Sequence, residues 1–79
     1  MMITRETNIH EIEFWAGAAT FADELSWDEL ETIGDAIKEL YPQGLTETQL
    51  NDILWFDTDW CCELLGYEDY DDFIKQRAN

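Results

Sequence analysis

The most reactive side chains in this sequence are one histidine, two cysteines and many carboxylates. Catalysis by a nucleophile, a histidine and an acid would have to use His10, which is the only histidine of the chain. His10 lies beside a predicted helix start in the most polar part of the chain, so we interpret it as a solvated surface residue. The sequence therefore predicts no nucleophilic centre.

The two cysteines, Cys61 and Cys62, are neighbours in the sequence. Adjacent cysteines do not link distant segments, and a zinc site needs cysteine or histidine ligands about two to four residues apart. We expect two reduced thiols that pack as small apolar side chains. No bound metal and no other cofactor is predicted.

The carboxylates are too numerous to mark a catalytic pair. Glycoside hydrolysis uses two carboxylates that flank a sugar in a cleft, and a helical chain of 79 residues leaves little room for a cleft. The acidic runs from Asp57 and from Asp69 do not match a calcium-binding EF-hand, because Cys62 and Ile74 stand where that loop requires glycine. Helix capping explains these acids, and we predict that the protein is not an enzyme.

The net charge sets the strongest limit on function. The chain has 19 acidic and 4 basic residues, and its formal net charge is −15 at pH 7. Binding to nucleic acid or to an anionic membrane requires lysine and arginine against phosphates, so we predict neither. No apolar run approaches the roughly 20 residues of a membrane span, and the first residues lack the apolar segment of a signal peptide. We expect a cytoplasmic protein.

Helix-start signals recur at short intervals in a chain that is 46% hydrophobic and therefore too apolar to be disordered. Ser26 and Glu29 have the spacing of a capping box, and so do Thr46 and Gln49. The other predicted starts are Asn8, Asp57 or Thr58, and Asp69. The sequence predicts one all-α domain over residues 1–79, a small bundle of four to five short helices after a short extended arm.

Apolar residues at helical spacing define the faces that we expect to be buried. A first helix, from Asn8 up to Leu25, has an apolar stripe, and Gly17 among alanines lets another helix approach closely. The helix after Ser26 is the best defined, with a stripe formed by Trp27, Leu30, Ile33, Ile37, Leu40 and Tyr41. We expect Ile33 and Ile37 to be almost fully buried, and only one of the two cysteines to face the core squarely.

Acidic residues are most concentrated near the C-terminus. Residues three or four apart on a helix have Cβ atoms roughly 5–6 Å apart, and unneutralised charge at such density destabilises a small domain by self-repulsion. Two interpretations remain open, a solvated face without a specific role and a surface that binds a basic partner. We favour the basic partner, with Trp55 or Tyr70 as an aromatic anchor beside seven carboxylates: Asp57, Asp59, Glu63, Glu68, Asp69, Asp71 and Asp72.

An aromatic cluster near residue 55 also has two interpretations. Residues 53–56 are all large and apolar, and a short helix buries only about half its circumference, so Trp55 or Phe56 must lie at the edge of the core or outside it. In the first interpretation both rings close the core over the turn that leads to Trp60. In the second they form a partly exposed anchor for a protein partner, because tryptophan and tyrosine are enriched in such hot spots.

Several segments of the chain resemble a set of small acidic proteins from bacterial mobile elements and phages. The segments are residues 14–18 (FWAGA), 39–52 (ELYPQGLTETQLND), 54–56 (LWF) and 65–67 (LGY), and the resemblance extends over roughly residues 9–75. It implies a mobile-element context and brings no catalytic or binding residues with it. In size and charge the chain is also similar to phage-type inhibitors that mimic DNA, including anti-restriction and anti-CRISPR proteins.

These observations favour a non-catalytic inhibitor whose acidic face occupies a basic, nucleic-acid-binding surface of another protein. The alternative is a helical adaptor that binds a peptide or a subunit through an apolar groove beside Trp55, Phe56 and Trp60. In that case the charge is only a solubilising coat. The two functions differ in their response to salt, because a charge-driven complex weakens as ionic strength rises.

Overall fold

Five α-helices make up most of residues 2–77, the part of the chain that the computed structural model describes. In chain order the elements are β1 (Met2–Ile3), a 3₁₀ helix (Ile9–Glu11), α1 (Ala16–Glu24), α2 (Trp27–Leu40), β2 (Leu45–Thr46), α3 (Glu47–Phe56), α4 (Thr58–Leu64) and α5 (Tyr70–Arg77). The predicted all-α class is confirmed, with one small two-stranded sheet added. Within residues 2–77, no helix has the length and the apolar content needed to cross a membrane.

Side-chain caps fix where three of the helices begin. The Ser26 hydroxyl accepts a hydrogen bond from the Glu29 N–H at 3.2 Å, and the Glu29 carboxylate accepts one from the Ser26 N–H at 2.8 Å. Thr46 and Gln49 make the same reciprocal pair at the start of α3, and Asp69 caps the start of α5. These bonds satisfy backbone donors that the first turn of a helix leaves unpaired. All three predicted starts are confirmed.

The N-terminal segment is extended only at its beginning. Strand β1 pairs antiparallel with β2, and Ile3 lies opposite Leu45. Both side chains are buried, so the strand pair covers one side of the core. The chain then leaves the sheet through a turn closed by a hydrogen bond from the Thr7 N–H to the Thr4 carbonyl oxygen. The first residue of the chain lies outside the described part.

The helix predicted from Asn8 to Leu25 is interrupted, and this part of the prediction is wrong. Asn8 does cap a helix, but it is a 3₁₀ helix of three residues. Residues 12–15 lie outside any helix, and α1 begins only at Ala16. Ala16 has a φ of +50°, a left-handed conformation that costs an L-residue about 1–2 kcal/mol. Contacts elsewhere must therefore hold the chain in this path.

A buried asparagine on α3 holds the interruption in place. Asn51 is 0% exposed, and its Oδ1 accepts a hydrogen bond from the Trp15 N–H at 2.9 Å. Its Nδ2 donates to the carbonyl oxygens of Glu47 at 2.9 Å and of Glu13 at 3.5 Å. The Asn51 amide thus satisfies backbone groups that the break in the helix would leave unpaired, and those groups satisfy the buried amide in turn.

Helix α1 packs directly on α3 beyond this junction. A Cβ atom at Gly17 would overlap the Trp55 indole, so the ring lies where a side chain would otherwise stand. The prediction that Gly17 lets another helix approach closely is confirmed. The contact leaves Trp55 42% exposed.

The core draws buried apolar side chains from every helix. Ile33 and Ile37 on α2 are 0% and 1% exposed, which confirms the predicted phase of that helix. Cys61 and Cys62 are both fully buried, so the prediction that only one faces the core is wrong. Helix α4 contacts α2, α3 and α5, and adjacent positions on it are therefore both covered.

Large side chains at both ends of α2 are exposed, although the predicted stripe included them. Trp27 is 61% exposed and stacks on the ring of His10, with ring centroids 4.0 Å apart, so His10 is half-buried. At the other end, Leu40 and Tyr41 are 61% and 38% exposed. The 14-residue helix is longer than the core beneath it, and its last turn carries the apolar stripe past the core.

Truncation of Ile37 to alanine should lower the free energy of unfolding by about 2–5 kcal/mol, because it removes buried methyl groups and leaves a cavity. Denaturant unfolding followed by circular dichroism measures this change. The control is Leu40→Ala on the same helix, whose exposed side chain should cost no more than about 0.5 kcal/mol. Equal losses in the two variants would contradict the observed phase of α2.

The substitution Asn51→Asp should destabilise the fold by about 3 kcal/mol or more at neutral pH. It keeps the size of the side chain but places a carboxylate oxygen against the Glu47 carbonyl and buries an uncompensated charge. The neighbouring Asp52→Asn, at an exposed position of the same helix, makes the reverse chemical change and should stay within about 0.5 kcal/mol of the parent protein. Unchanged denaturation of Asn51→Asp would show that the junction is not a structural constraint.

Candidate protein-binding surface

Five of the seven predicted carboxylates collect where α5 begins. A carboxylate oxygen of Asp59 accepts a hydrogen bond from the Tyr70 N–H at 3.0 Å, which joins the first turn of α4 to the first turn of α5. The other four residues flank that turn of α5 or belong to it. We call these five the acidic cluster: Asp59, Glu68, Asp69, Asp71 and Asp72. Of the remaining two, Glu63 is exposed on α4, and Asp57 lines a groove described below.

Part of the acidic cluster stabilises α5. Asp69 accepts the Asp72 N–H at 2.8 Å, while Asp72 accepts the Glu68 N–H at 3.0 Å and the Gln76 side-chain amide at 3.1 Å. The Glu68 N–H, followed by Gln76 and by the charge of Lys75, lowers the pKa of Asp72 below its ordinary value, because each favours the ionised form. Asp69 and Asp72 therefore have two roles: they form hydrogen bonds at the start of α5 and they add negative charge to the acidic cluster.

Tyr70, one of the two predicted anchors, is committed to an internal contact. Its hydroxyl donates to the Glu24 carboxylate, with oxygen–oxygen distances of 2.7 and 3.0 Å. Its ring makes an edge contact with Phe21 and a tilted contact with Phe73. The hydrogen bond to Glu24, together with burial and the nearby negative charge, raises the pKa of Tyr70 to about 12. Tyr70 therefore joins α5 to α1 and offers little of its ring to a partner.

Trp55, the other predicted anchor, is exposed together with its neighbour. Trp55 and Phe56 are 42% and 70% exposed, and their rings stack with centroids 4.9 Å apart and planes 9° from parallel. The interpretation in which both rings close the core is wrong, because a large part of each side chain is open to solvent. The pair forms an aromatic ledge at the end of α3.

A groove lies between the end of α2 and the junction of α3 with α4. We call it the aromatic groove, and its volume is about 330 Å³. Phe56 stands one helical turn after one of its lining residues, so the ledge borders the groove. The walls are apolar and aromatic apart from one carboxylate, and the lining residues are Leu40, Tyr41, Ile53, Asp57 and Trp60.

The sequence located only part of this groove. The sequence predicts an apolar groove beside Phe56 and Trp60 as the site of a helical adaptor. It places Leu40 and Tyr41 on the buried stripe of α2 instead. The apolar spacing of α2 continues to its last residue, and periodicity alone does not state where the underlying core ends. Pro42, which follows directly, marks the point where the chain turns away.

The basic residues lie on other parts of the surface. Arg5 and Lys38 line a second hollow, together with Asp35 and Glu39, and the Lys38 ammonium also donates to the Thr7 carbonyl oxygen. Arg77 forms an ion pair with Glu29, and its guanidinium lies 4.4 Å from the centre of the Phe73 ring. The fourth cation, Lys75, is in the last turns of α5. Lys38 and Arg77 are therefore engaged within the fold, and none of the four cations lines the aromatic groove.

The cysteines form no metal site with their neighbours. Within residues 2–77, no group of three or more histidine, cysteine, aspartate or glutamate side chains is arranged to hold a metal ion. Burial, followed by the neighbouring Cys62 and by Asp57, raises the pKa of Cys61 to about 12. Burial, followed by the negative charges of Asp59, Asp69 and Glu24, raises the pKa of Cys62 to about 11. Both free thiols are thus protonated at neutral pH.

Comparisons with models of protein families, with curated protein sequences and with solved structures gave no match. The resemblance to mobile-element proteins and the likeness to DNA mimics stay predictions.

The Tyr70 contact predicts a loss of stability at alkaline pH. The folded-state pKa of about 12 is above the ordinary value of 10. The contribution of the Tyr70–Glu24 hydrogen bond to the free energy of unfolding is therefore complete below about pH 10 and disappears as the pH rises towards 12. Absorbance titration of the folded protein should show a late-ionising tyrosine that is missing from Tyr70→Phe. In Glu24→Gln, the pKa of Tyr70 should fall towards 10. A late titration that survives in Tyr70→Phe would assign it to another tyrosine.

Proposed function

We propose that this chain is a non-catalytic inhibitor that binds a basic protein surface, one that otherwise holds nucleic acid. The context that we propose for it is the bacterial cytoplasm, where a mobile element or phage would use it against a host defence system. The proposal requires no cofactor, no metal and no direct contact with nucleic acid or membrane. Its ligand surface is the acidic cluster extended by Asp57 and Glu63, with Trp55 as the aromatic anchor.

The observation that carries this proposal is the excess of exposed negative charge. Four cations cannot neutralise 19 carboxylates, and Lys38 and Arg77 are already bound within the fold. A net charge of about −2 to −8 is enough to keep a small domain soluble. A charge of −15 adds repulsion that weakens the fold, and binding to a basic surface would relieve it.

The placement of the carboxylates supports the same proposal. Glu63, Glu68 and Asp71 are exposed, and the hydrogen bonds that cap α5 come from Asp69 and Asp72. Glu63 and Asp71 lie in α4 and α5, and hydrogen bonds to Asp59 and Asp72 anchor the segment that joins the two helices. The restricted positions of these charges lower the entropy lost on binding. Complementary charge also accelerates association and disfavours acidic competitors.

A second candidate function is supported by the aromatic groove. A helical adaptor would insert an apolar segment of a peptide or subunit beside Phe56 and Trp60, and the carboxylates would only keep the protein soluble. The groove and the exposed rings at its border favour this candidate. Salt separates the two, because an apolar contact keeps its affinity as ionic strength rises.

The decisive variant is Glu63→Lys, Glu68→Lys and Asp71→Lys combined, which spares the caps of α5. Proteins captured from a bacterial lysate at low salt would be identified by mass spectrometry. The purified partner would then be loaded with fluorescent DNA. We expect the parent protein to displace the DNA, and the variant to bind the partner at least about tenfold more weakly. Raising the salt from 50 to 200 mM should weaken the parent complex by about tenfold or more.

The matched control reverses three exposed carboxylates elsewhere, in the N-terminal segment: Glu6, Glu11 and Glu13 to lysine. Both triple variants change the net charge from −15 to −9, so a difference between them reports the position of the charge. A partner that binds this protein and DNA at the same time would contradict the proposal. If both variants lose the same affinity for the partner, binding depends on the net charge and not on the position of the acidic cluster.

A further inference from the structure

We infer that the aromatic groove is a docking site for a cationic segment of the partner, a segment in which a large apolar side chain is flanked by lysine or arginine. The inference rests on the proposed function, since it assumes that the partner is basic. It deepens that function by naming where the partner inserts and what chemistry the inserted segment has.

The walls of the groove are suited to an apolar side chain. Leu40 and Tyr41 project from the overhanging last turn of α2, and Ile53 and Trp60 face them from α3 and α4. Leu40 is 61% exposed and Phe56, at the border, is 70% exposed. Covering large apolar side chains of this kind contributes about 25 cal/mol for each Å² removed from water.

The negative charge around the groove favours a segment with basic residues beside the inserted apolar side chain. Asp57 is the one charged residue in the lining. By helical spacing, Asp52 stands one turn before Phe56, and Glu63 stands one turn after Trp60. The sequence from residue 39 to residue 74 contains no lysine, arginine or histidine and ten carboxylates, which are Glu39, Glu47, Asp52, Asp57, Asp59, Glu63, Glu68, Asp69, Asp71 and Asp72.

A lysine or arginine beside the inserted apolar side chain would therefore meet two favourable partners. It would pair with the Asp57 carboxylate, and it would lie near the ring faces of Tyr41 and Trp60, which attract cations. Arginine fits both, because its planar guanidinium stacks on aromatic rings and binds carboxylates with two hydrogen bonds. The apolar walls would cover both contacts once the segment is inserted, and the exclusion of water would strengthen them.

Other occupants fit the same observations less well. A second copy of this chain would bring its own groove border, with the same carboxylates and no cation, against the first, and like charges across an interface oppose association. A volume of about 330 Å³ is at the lower end of the range for small-molecule pockets, roughly 300–1,000 Å³. It is suited to one or two side chains of a protein partner.

The test uses three synthetic amphipathic helical peptides and the full chain. The first peptide carries leucine and phenylalanine on one face and lysine on the others; the second replaces the apolar residues by alanine, and the third replaces lysine by glutamine. Binding is followed by NMR through the four tryptophan indole N–H signals, with Trp60→Phe to assign that of Trp60. We expect the first peptide to shift the Trp60 signal and to bind at least about tenfold more tightly than either of the others.

Matched variants locate the contact. Leu40→Gln removes one wall of the groove and should weaken binding of the first peptide by about tenfold or more. Trp27→Gln changes a side chain that is equally exposed, 61%, at the other end of α2, and should leave the affinity unchanged. Thermal unfolding of each variant checks that its fold is intact.

Four outcomes would overturn the inference. In the first, binding depends on lysine but not on Leu40, with no shift of the Trp60 signal. The cationic peptide then binds outside the groove, and only the proposed function survives. If the glutamine peptide binds as tightly as the lysine peptide, the occupant is apolar and not cationic. A dimer in sedimentation that Leu40→Gln dissolves would assign the groove to a second copy. No binding of the first peptide up to about 1 mM would leave the groove without this ligand class.

Discussion

The Asn51 amide sets the arrangement on which the rest of the molecule depends. It ties the backbone before α1 to α3, and it does so where no helix could satisfy those backbone groups. Helix α1 is thereby placed so close to α3 that only glycine fits opposite Trp55. The indole contacts α1 at this point and stacks on Phe56 at the surface. A polar contact in the core thus positions an aromatic pair on the surface.

The negative charge of the chain has two roles that the structure separates. Asp59, Asp69 and Asp72 accept backbone hydrogen bonds at the start of α5, so removing them would weaken the helix as well as any complex. Glu63 and Glu68 are exposed at positions where a change in charge leaves these caps intact. A measured effect of charge on binding can therefore be read only from carboxylates of the second kind.

Local signals predicted the fold well and long-range contacts limited the prediction. The starts at Ser26, Thr46 and Asp69 depend on residues within one turn, and all three are correct. The break before Ala16 depends on Asn51, whose partner Trp15 is 36 residues away, and no local pattern contains it. The same holds for the aromatic groove, because helical spacing placed Leu40 on the right stripe but did not indicate how far the core extends beneath it.

The pairing of β1 with β2 and of α1 with α3 has a consequence for synthesis on the ribosome. Strand β1 pairs with β2 and contacts α3, and α1 packs mainly on α3, so these partners lie on the far side of α2. As the chain emerges from its N-terminus, α2 can form from local contacts, because its capping box needs nothing beyond residue 29. The 3₁₀ helix can pack on α2 at once, but Ile3 and Phe21 stay uncovered until their partners in the second half of the chain have left the exit tunnel. Collapse of this protein is therefore a late event of translation, in which the N-terminal third and the middle of the chain become ordered together.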